Sequence, residues 1–116
     1  MAISSTPWMG KVTLATANTV YRLSDLLAAL ADARKPLVSS PARCEYLSIQ
    51  ADPDGQATKY YIGTHDTMSA TDYGIYLIAT QAWQIQSMGA NLIRLDQIYL
   101  MSDARDAVMY IAFLTR

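Results

Sequence analysis

Residues 48–63 read SIQADPDGQATKYYIG. Two β-rich runs flank the cluster Asp52-Pro53-Asp54-Gly55, and each residue of that cluster favours a reversal for its own reason. Pro53 presets φ, Asp52 and Asp54 can accept from nearby backbone N–H groups, and Gly55 accepts positive φ. With CEYLSIQA before it and ATKYYIG after it, the spacing predicts a β-hairpin. The Asp-x-Asp-Gly string also begins like a calcium loop, but that loop needs a Glu at its twelfth position, where Gly63 stands. A structural turn is the better reading.

The rest of the chain repeats this grammar. GKVTLAT alternates Val12 and Leu14 with Lys11 and Thr13, the period of a half-buried strand. LSDLLAALADARKP has the helical period instead, with Ser24 as the expected N-cap, Asp25 in the first turn, Pro36 as the stop, and Leu23, Leu26, Leu27 and Leu30 on one face. Such a short helix must dock its leucines on something larger. Strands follow in IYLIA, AWQIQS, DQIYLMS and AVMYIAFL, separated by THDTMSATDYG, GAN and DARD. Trp83 and Ile85 are expected inward, with Gln84 and Gln86 outward. Strands at this spacing without interleaved helices predict an all-β fold: an antiparallel β-sandwich, jelly-roll-like, of about 7–8 strands with one short α-helix in the N-terminal half.

At 116 residues the chain makes one domain, which buries roughly 65% of its unfolded surface. The expected organisation is an N-terminal arm over residues 1–10 and a single sandwich domain over residues 11–116. A net charge of −1 and the lack of a Lys/Arg run argue against a nucleic-acid partner. The apolar runs are too short for a spanning helix and the N-terminus lacks a signal-peptide pattern, so a membrane partner is not expected and the chain reads as soluble and unexported. The single cysteine, Cys44, excludes an internal disulfide framework. Charged residues make up 16%, against about 25% in an ordinary domain. A 52% apolar chain with so little charge is best kept soluble by neighbours that cover it, so the composition points to a subunit of a packed assembly.

Chemistry-bearing residues are few, and each has a structural explanation. His65 is the only histidine, and with Asp66 and Asp72 it has no recognisable metal-ligand spacing. Cys44 and His65 lack the surroundings of a nucleophile and its base. Asp52/Asp54 and Asp103/Asp106 sit in turns, without the apolar pocket that raises one carboxylate for acid catalysis. The glycines are single, so no phosphate cradle exists. No catalytic, metal or cofactor residue is assigned, and no enzyme is expected. The aromatic content is eight tyrosines and two tryptophans. Tyr60, Tyr61, Tyr73 and Tyr76 could form a patch that stacks on a sugar, although tyrosine serves equally as a strand residue or interface anchor.

Taken in order, VTLATANTVYRLSDLLAAL, CEYLSIQADPDGQATKYYIGTHDTMSATDYGIYL and LIRLDQIYLMSDARDAVMYIAFL resemble a group of small phage virion structural proteins. The likeness lies in the sequence of an Asn-Thr-x-Tyr-x-Leu turn and helix, IQADP, a Y-x-G strand end, a Ser-Ala-Thr-x-Tyr-Gly loop and a late IYL strand. It spans most of the chain and carries no catalytic motif. The resemblance implies a head decoration or cement protein on the virion surface, made in the host cytoplasm. Its partners would be other copies of itself, for instance as a trimer, and the major capsid protein. The alternatives are a tail, baseplate or head-fibre component, or a carbohydrate-binding module for host attachment.

Two surfaces are expected to make the contacts. MAISSTPWMG has no periodicity, so Trp8 and Met9 are expected to anchor the arm in a neighbour. The terminal strand is apolar on both faces, and Met109, Ile111 and Phe113 are the face expected to meet another subunit.

Overall fold

The computed structural model describes residues 6–30, 43–54, 57–87 and 93–115. In chain order the elements are β1 (Thr6–Leu14), β2 (Tyr21–Arg22), α1 (Leu23–Ala28), β3 (Arg43–Cys44), β4 (Tyr46–Ala51), β5 (Tyr60–Gly63), β6 (Ile75–Leu77), β7 (Ala82–Gln86) and β8 (Ile93–Arg94). A 3-10 turn over Leu95–Gln97, β9 (Tyr99–Ser102) and β10 (Ala107–Thr115) complete the chain. Pairing is nested: β1 with β10, β2 with β9, β3 with β8, β4 with β7 and β5 with β6, all antiparallel. The first half of the chain is thus zipped against the second half as one long ribbon, with its tip at β5 and β6. Two further pairings, β10 with β4 and β9 with β5, roll the ribbon up. The result is two four-stranded sheets, β1-β10-β4-β7 and β2-β9-β5-β6, plus the β3-β8 pair. This is the jelly-roll wrapping, and the all-β sandwich read from the sequence is the fold of the chain.

The reversal at Asp52 forms as its chemistry dictates, with the Asp54 N–H donating to Asp52 Oδ1 at 3.0 Å. Gly55 lies outside the described residues. The expected hairpin does not form, because β4 lies between β10 and β7 while β5 lies between β9 and β6. The connection from β4 to β5 is instead an arch from one sheet to the other. It is longer than the loop of about 2–5 residues that closes a hairpin, and long enough to cross the roughly 10 Å between packed sheets. The Thr58 N–H donates to Asp103 Oδ1 at 2.8 Å, which ties this arch to the β9–β10 connection beside it. That second connection makes the same crossing in reverse.

Alternation decides which side chains fill the space between the sheets. On the first sheet Val12, Leu14, Leu47, Ile49, Ala51, Ala107, Met109, Ile111 and Phe113 point inward and are buried. They meet Tyr60, Ile62, Leu77 and Leu100 of the second. Leu23 and Leu27 of α1 join this core, with Leu26 and Leu30 packed against it, as the leucine spacing predicts. The helix starts one residue before the expected cap, so Ser24 is its second residue; Arg22 holds the N-cap position without a side-chain bond. The Leu23 N–H finds its acceptor across the fold in the Ile98 carbonyl, at 2.9 Å. Pro36 lies outside the described residues.

Two expectations are corrected by this packing. From Thr6 onward the expected arm over residues 1–10 is the first half of β1, paired residue by residue with β10. Residues 1–5 lie outside the described residues. Trp8 points into the chain's own core, its ring stacked on Phe113 at 5.3 Å between centroids. Gly10 leaves room for that indole, since a Cβ there would sit 2.8 Å from it. Met109, Ile111 and Phe113 are likewise core residues and not a subunit contact. Met109, Ile111 and Phe113 carry no hydrogen-bonding group, whereas the opposite face of β10 carries the Tyr110 hydroxyl and the small Ala112.

Candidate functional site

The two sheets differ in what lies on their outer faces. Over the β2-β9-β5-β6 sheet the loop between β5 and β6 folds back, closed by reciprocal backbone hydrogen bonds between Ser69 and Asp72 at 2.9 and 3.1 Å. Met68 from this loop covers Gly63 and, with Tyr61 and Met101, forms a second small core bordered by Val20, Tyr73 and Tyr99. The polar-looking loop is therefore a lid on that sheet. Over the β1-β10-β4-β7 sheet the described residues provide no equivalent.

The bare face is built by alternation from Met9, Lys11 and Thr13 of β1, Val108, Tyr110, Ala112 and Leu114 of β10, Tyr46, Ser48 and Gln50 of β4, and Ala82, Gln84 and Gln86 of β7. Lys11 is its one charged side chain among the described residues. Met9 is 79% exposed and Tyr110 42%. Between them the small Ala112 and Ser48, with Gln50 at the rim, leave a depression of about 250 Å³. Of the residues expected at an interface, Met9 is on this face. Tyr110 and Ala112, the neighbours of the three core residues in β10, were missed by the sequence reading. The Tyr110 hydroxyl, set against the purely apolar Met109, Ile111 and Phe113, is the signal that separates them.

Three of the four tyrosines expected in one patch do come together. Tyr61 lies 4.9 Å from Tyr73 and 6.4 Å from Tyr76, and Tyr73 lies 5.8 Å from Tyr76, edge to face. The Lys59 ammonium stands 4.9 Å above the Tyr76 ring. Tyr60 is the exception, because the residue before Tyr61 in a strand faces the other way. It is fully buried between the sheets, and its hydroxyl has no hydrogen-bond partner among the described residues. Burial, and next to it the charge of Asp52, push the Tyr60 hydroxyl pKa up.

A cleft of about 170 Å³ opens beside this cluster, where β6 and β7 form the edges of the two sheets. Ile62, Ile75, Ile98 and Trp83 line its apolar part, Tyr73 one wall, and Thr64 and His65 its rim. Gly74 permits the tight approach of backbones at its base: its N–H donates to the Ile62 carbonyl at 3.0 Å, and a Cβ would sit 2.7 Å from that oxygen. His65 Nδ1 lies 3.1 Å from Thr67 Oγ1, and its Nε2 lies 3.8 Å from Asp72.

The remaining singled-out residues serve structure. Cys44 is buried in the core, and burial pushes its thiol up to about 12, so the thiolate is scarce near neutral pH. Among the described residues no group of three or more His, Cys, Asp or Glu side chains could hold a metal ion. Asp96 sits 2.8 Å from Arg94, whose guanidinium holds the carboxyl below its usual range. Compared with known protein families, curated proteins and solved structures, the chain matches none.

Proposed function

We propose that the chain is a structural subunit of a phage virion, a head decoration or cement protein that stabilises the shell by covering and bridging its subunits. The observation that carries this reading is the bare face of the β1-β10-β4-β7 sheet. Four strands at about 4.8 Å spacing, the longest of them about 30 Å, give a planar footprint of roughly 500 Å². Side-chain relief enlarges that toward the ~800 Å² per partner of a standard protein contact. A face with one charge among its described residues, an exposed methionine and tyrosine, and a depression between them has the composition of a contact surface. Its stabilising effect would come from area: a subunit docked on one shell protein meets the next at high effective concentration. Jelly rolls serve as capsid and as lectin domains, so the fold supports the reading by analogy only.

The test is the copy number of the protein in purified particles. A shell-bound subunit is present in hundreds of copies, and Tyr110→Asp with Ala112→Asp leaves the subunit folded but strips it from the particle. A count in the tens, or undiminished incorporation of the double variant, overturns the reading.

A further inference from the structure

We propose that the cleft between the edges of β6 and β7 binds a single neutral pyranose ring, with Tyr73 and Trp83 receiving its apolar face and Thr64 and His65 its hydroxyls. This goes beyond the assembly role and does not depend on it. Size sets the first limit, since about 170 Å³ is the volume of one six-membered ring with its substituents and is below the usual range for larger organic ligands. Charge sets the second. The lining contains no Lys, Arg, Asp or Glu, so neither a phosphate nor a cation finds a counter-charge.

What remains is a neutral ligand, and the distribution of groups selects its class. One part of the lining is isoleucine and indole and the rim is a hydroxyl and an imidazole. A purely aliphatic ligand would leave that rim desolvated and unpaired. A pyranose has one face of C–H bonds, which suits the electron-rich face of an aromatic ring, and a perimeter of hydroxyls.

The Tyr73 wall is also held in place before any ligand arrives. Tyr61 and Tyr76 pack against it at 4.9 and 5.8 Å, so little side-chain freedom is left to lose on binding. The hydroxyl of Thr67 lies 3.1 Å from His65 Nδ1 and orients the imidazole, while Nε2, at 3.8 Å from Asp72, is beyond hydrogen-bond distance of that carboxylate and is the nitrogen that meets a ligand hydroxyl. The tyrosine cluster therefore supports the site from behind. Tyr76, its most exposed member, does not line the cleft.

Saturation-transfer NMR on the full chain tests this with the methyl glycosides of glucose, galactose and mannose and with N-acetylglucosamine. At least one is expected to bind saturably with a dissociation constant on the order of 1 mM, the affinity that roughly a dozen heavy atoms can supply. The strongest transfer should fall on the C–H protons of one ring face. Tyr73→Leu, Thr64→Ala and His65→Ala should each weaken binding, Tyr73→Leu by about tenfold or more, and Tyr76→Ala, which removes one of the two rings holding Tyr73, should weaken it by less than Tyr73→Leu does. Thr64 and His65 are exposed, so their variants keep the fold. No saturable signal from any of the four sugars at up to about 50-fold above that constant overturns the proposal. So does binding that survives all three cleft variants. If the cleft variants instead change self-association and no sugar binds, the cleft holds a side chain of another subunit and the sugar assignment fails.

Discussion

Phe113 and Tyr110 lie three residues apart in β10 on opposite faces, and truncating each to alanine measures which face is the core. Phe113 is 2% exposed, stacked on Trp8 at 5.3 Å and paired across the sheet with Leu47. Phe113→Ala should cost about 3–5 kcal/mol, of which the lost ring contact is about 0.5–1.5. Tyr110 projects from the bare face, and Tyr110→Ala in the free subunit should cost less than about 1 kcal/mol. For 116 residues a total stability of roughly 6–17 kcal/mol is expected, so the first variant removes a large share of it. Urea unfolding followed by tryptophan fluorescence reads both. With a slope near 2 kcal/mol per molar, Phe113→Ala lowers the midpoint by about 2 M and Tyr110→Ala by less than about 0.5 M. If Phe113→Ala does not fold at all, Phe113→Leu, which keeps most of the volume, restores a measurable transition. Equal losses in the two positions, or the reverse order, would refute the assignment of the faces.

Tyr60→Phe keeps the ring and removes a buried hydroxyl that has no hydrogen-bond partner within distance among the described residues, so it should leave stability unchanged or raise it by about 1 kcal/mol; a clear loss in the same urea assay would mean that the hydroxyl is bonded, for example to the Ala57 N–H. For Cys44, whose thiol is pushed up to about 12, the sign is that of a group held neutral by folding. Its contribution is fully present below the unfolded value near 9 and is lost as pH rises from there toward 12. Between about pH 8 and pH 10 the wild type should lose roughly 1 kcal/mol more than Cys44→Ala does, and parallel pH profiles would contradict this. Thr80 has φ of 74° in the turn before β7, a conformation that a β-branched residue resists. Thr80→Asn should therefore gain up to about 1 kcal/mol, read as a higher thermal midpoint, and a lower one would count against strain at this turn. Gly74→Ala drives a Cβ against the Ile62 carbonyl and should lower the thermal midpoint by several degrees while disturbing the cleft; full retention of both would show that the backbones can separate.

What was legible in the sequence is what neighbouring residues decide among themselves. The alternation of Leu47, Ile49 and Ala51 with Tyr46, Ser48 and Gln50 appears in β4 as buried and half-buried positions in turn. The leucines of α1 face the core, and Asp52 caps its own turn as its chemistry requires. The gathering of Tyr61, Tyr73 and Tyr76 is visible from their spacing, whereas Tyr60 does not belong with them, because alternation puts adjacent residues of one strand on opposite faces whichever face is inward. The inward side of each strand is set by the opposing sheet, and on β10, apolar at every position, local pattern left the choice to Trp8, Leu47 and the other side chains that pack against Phe113. The turn at Asp52 is the plainest case. Local chemistry could demand that the chain reverse there, but only the pairing of β4 with β10 and β7 made the reversal an arch between sheets, because strand partners are assigned by backbone groups distant in sequence that compete for the same edges.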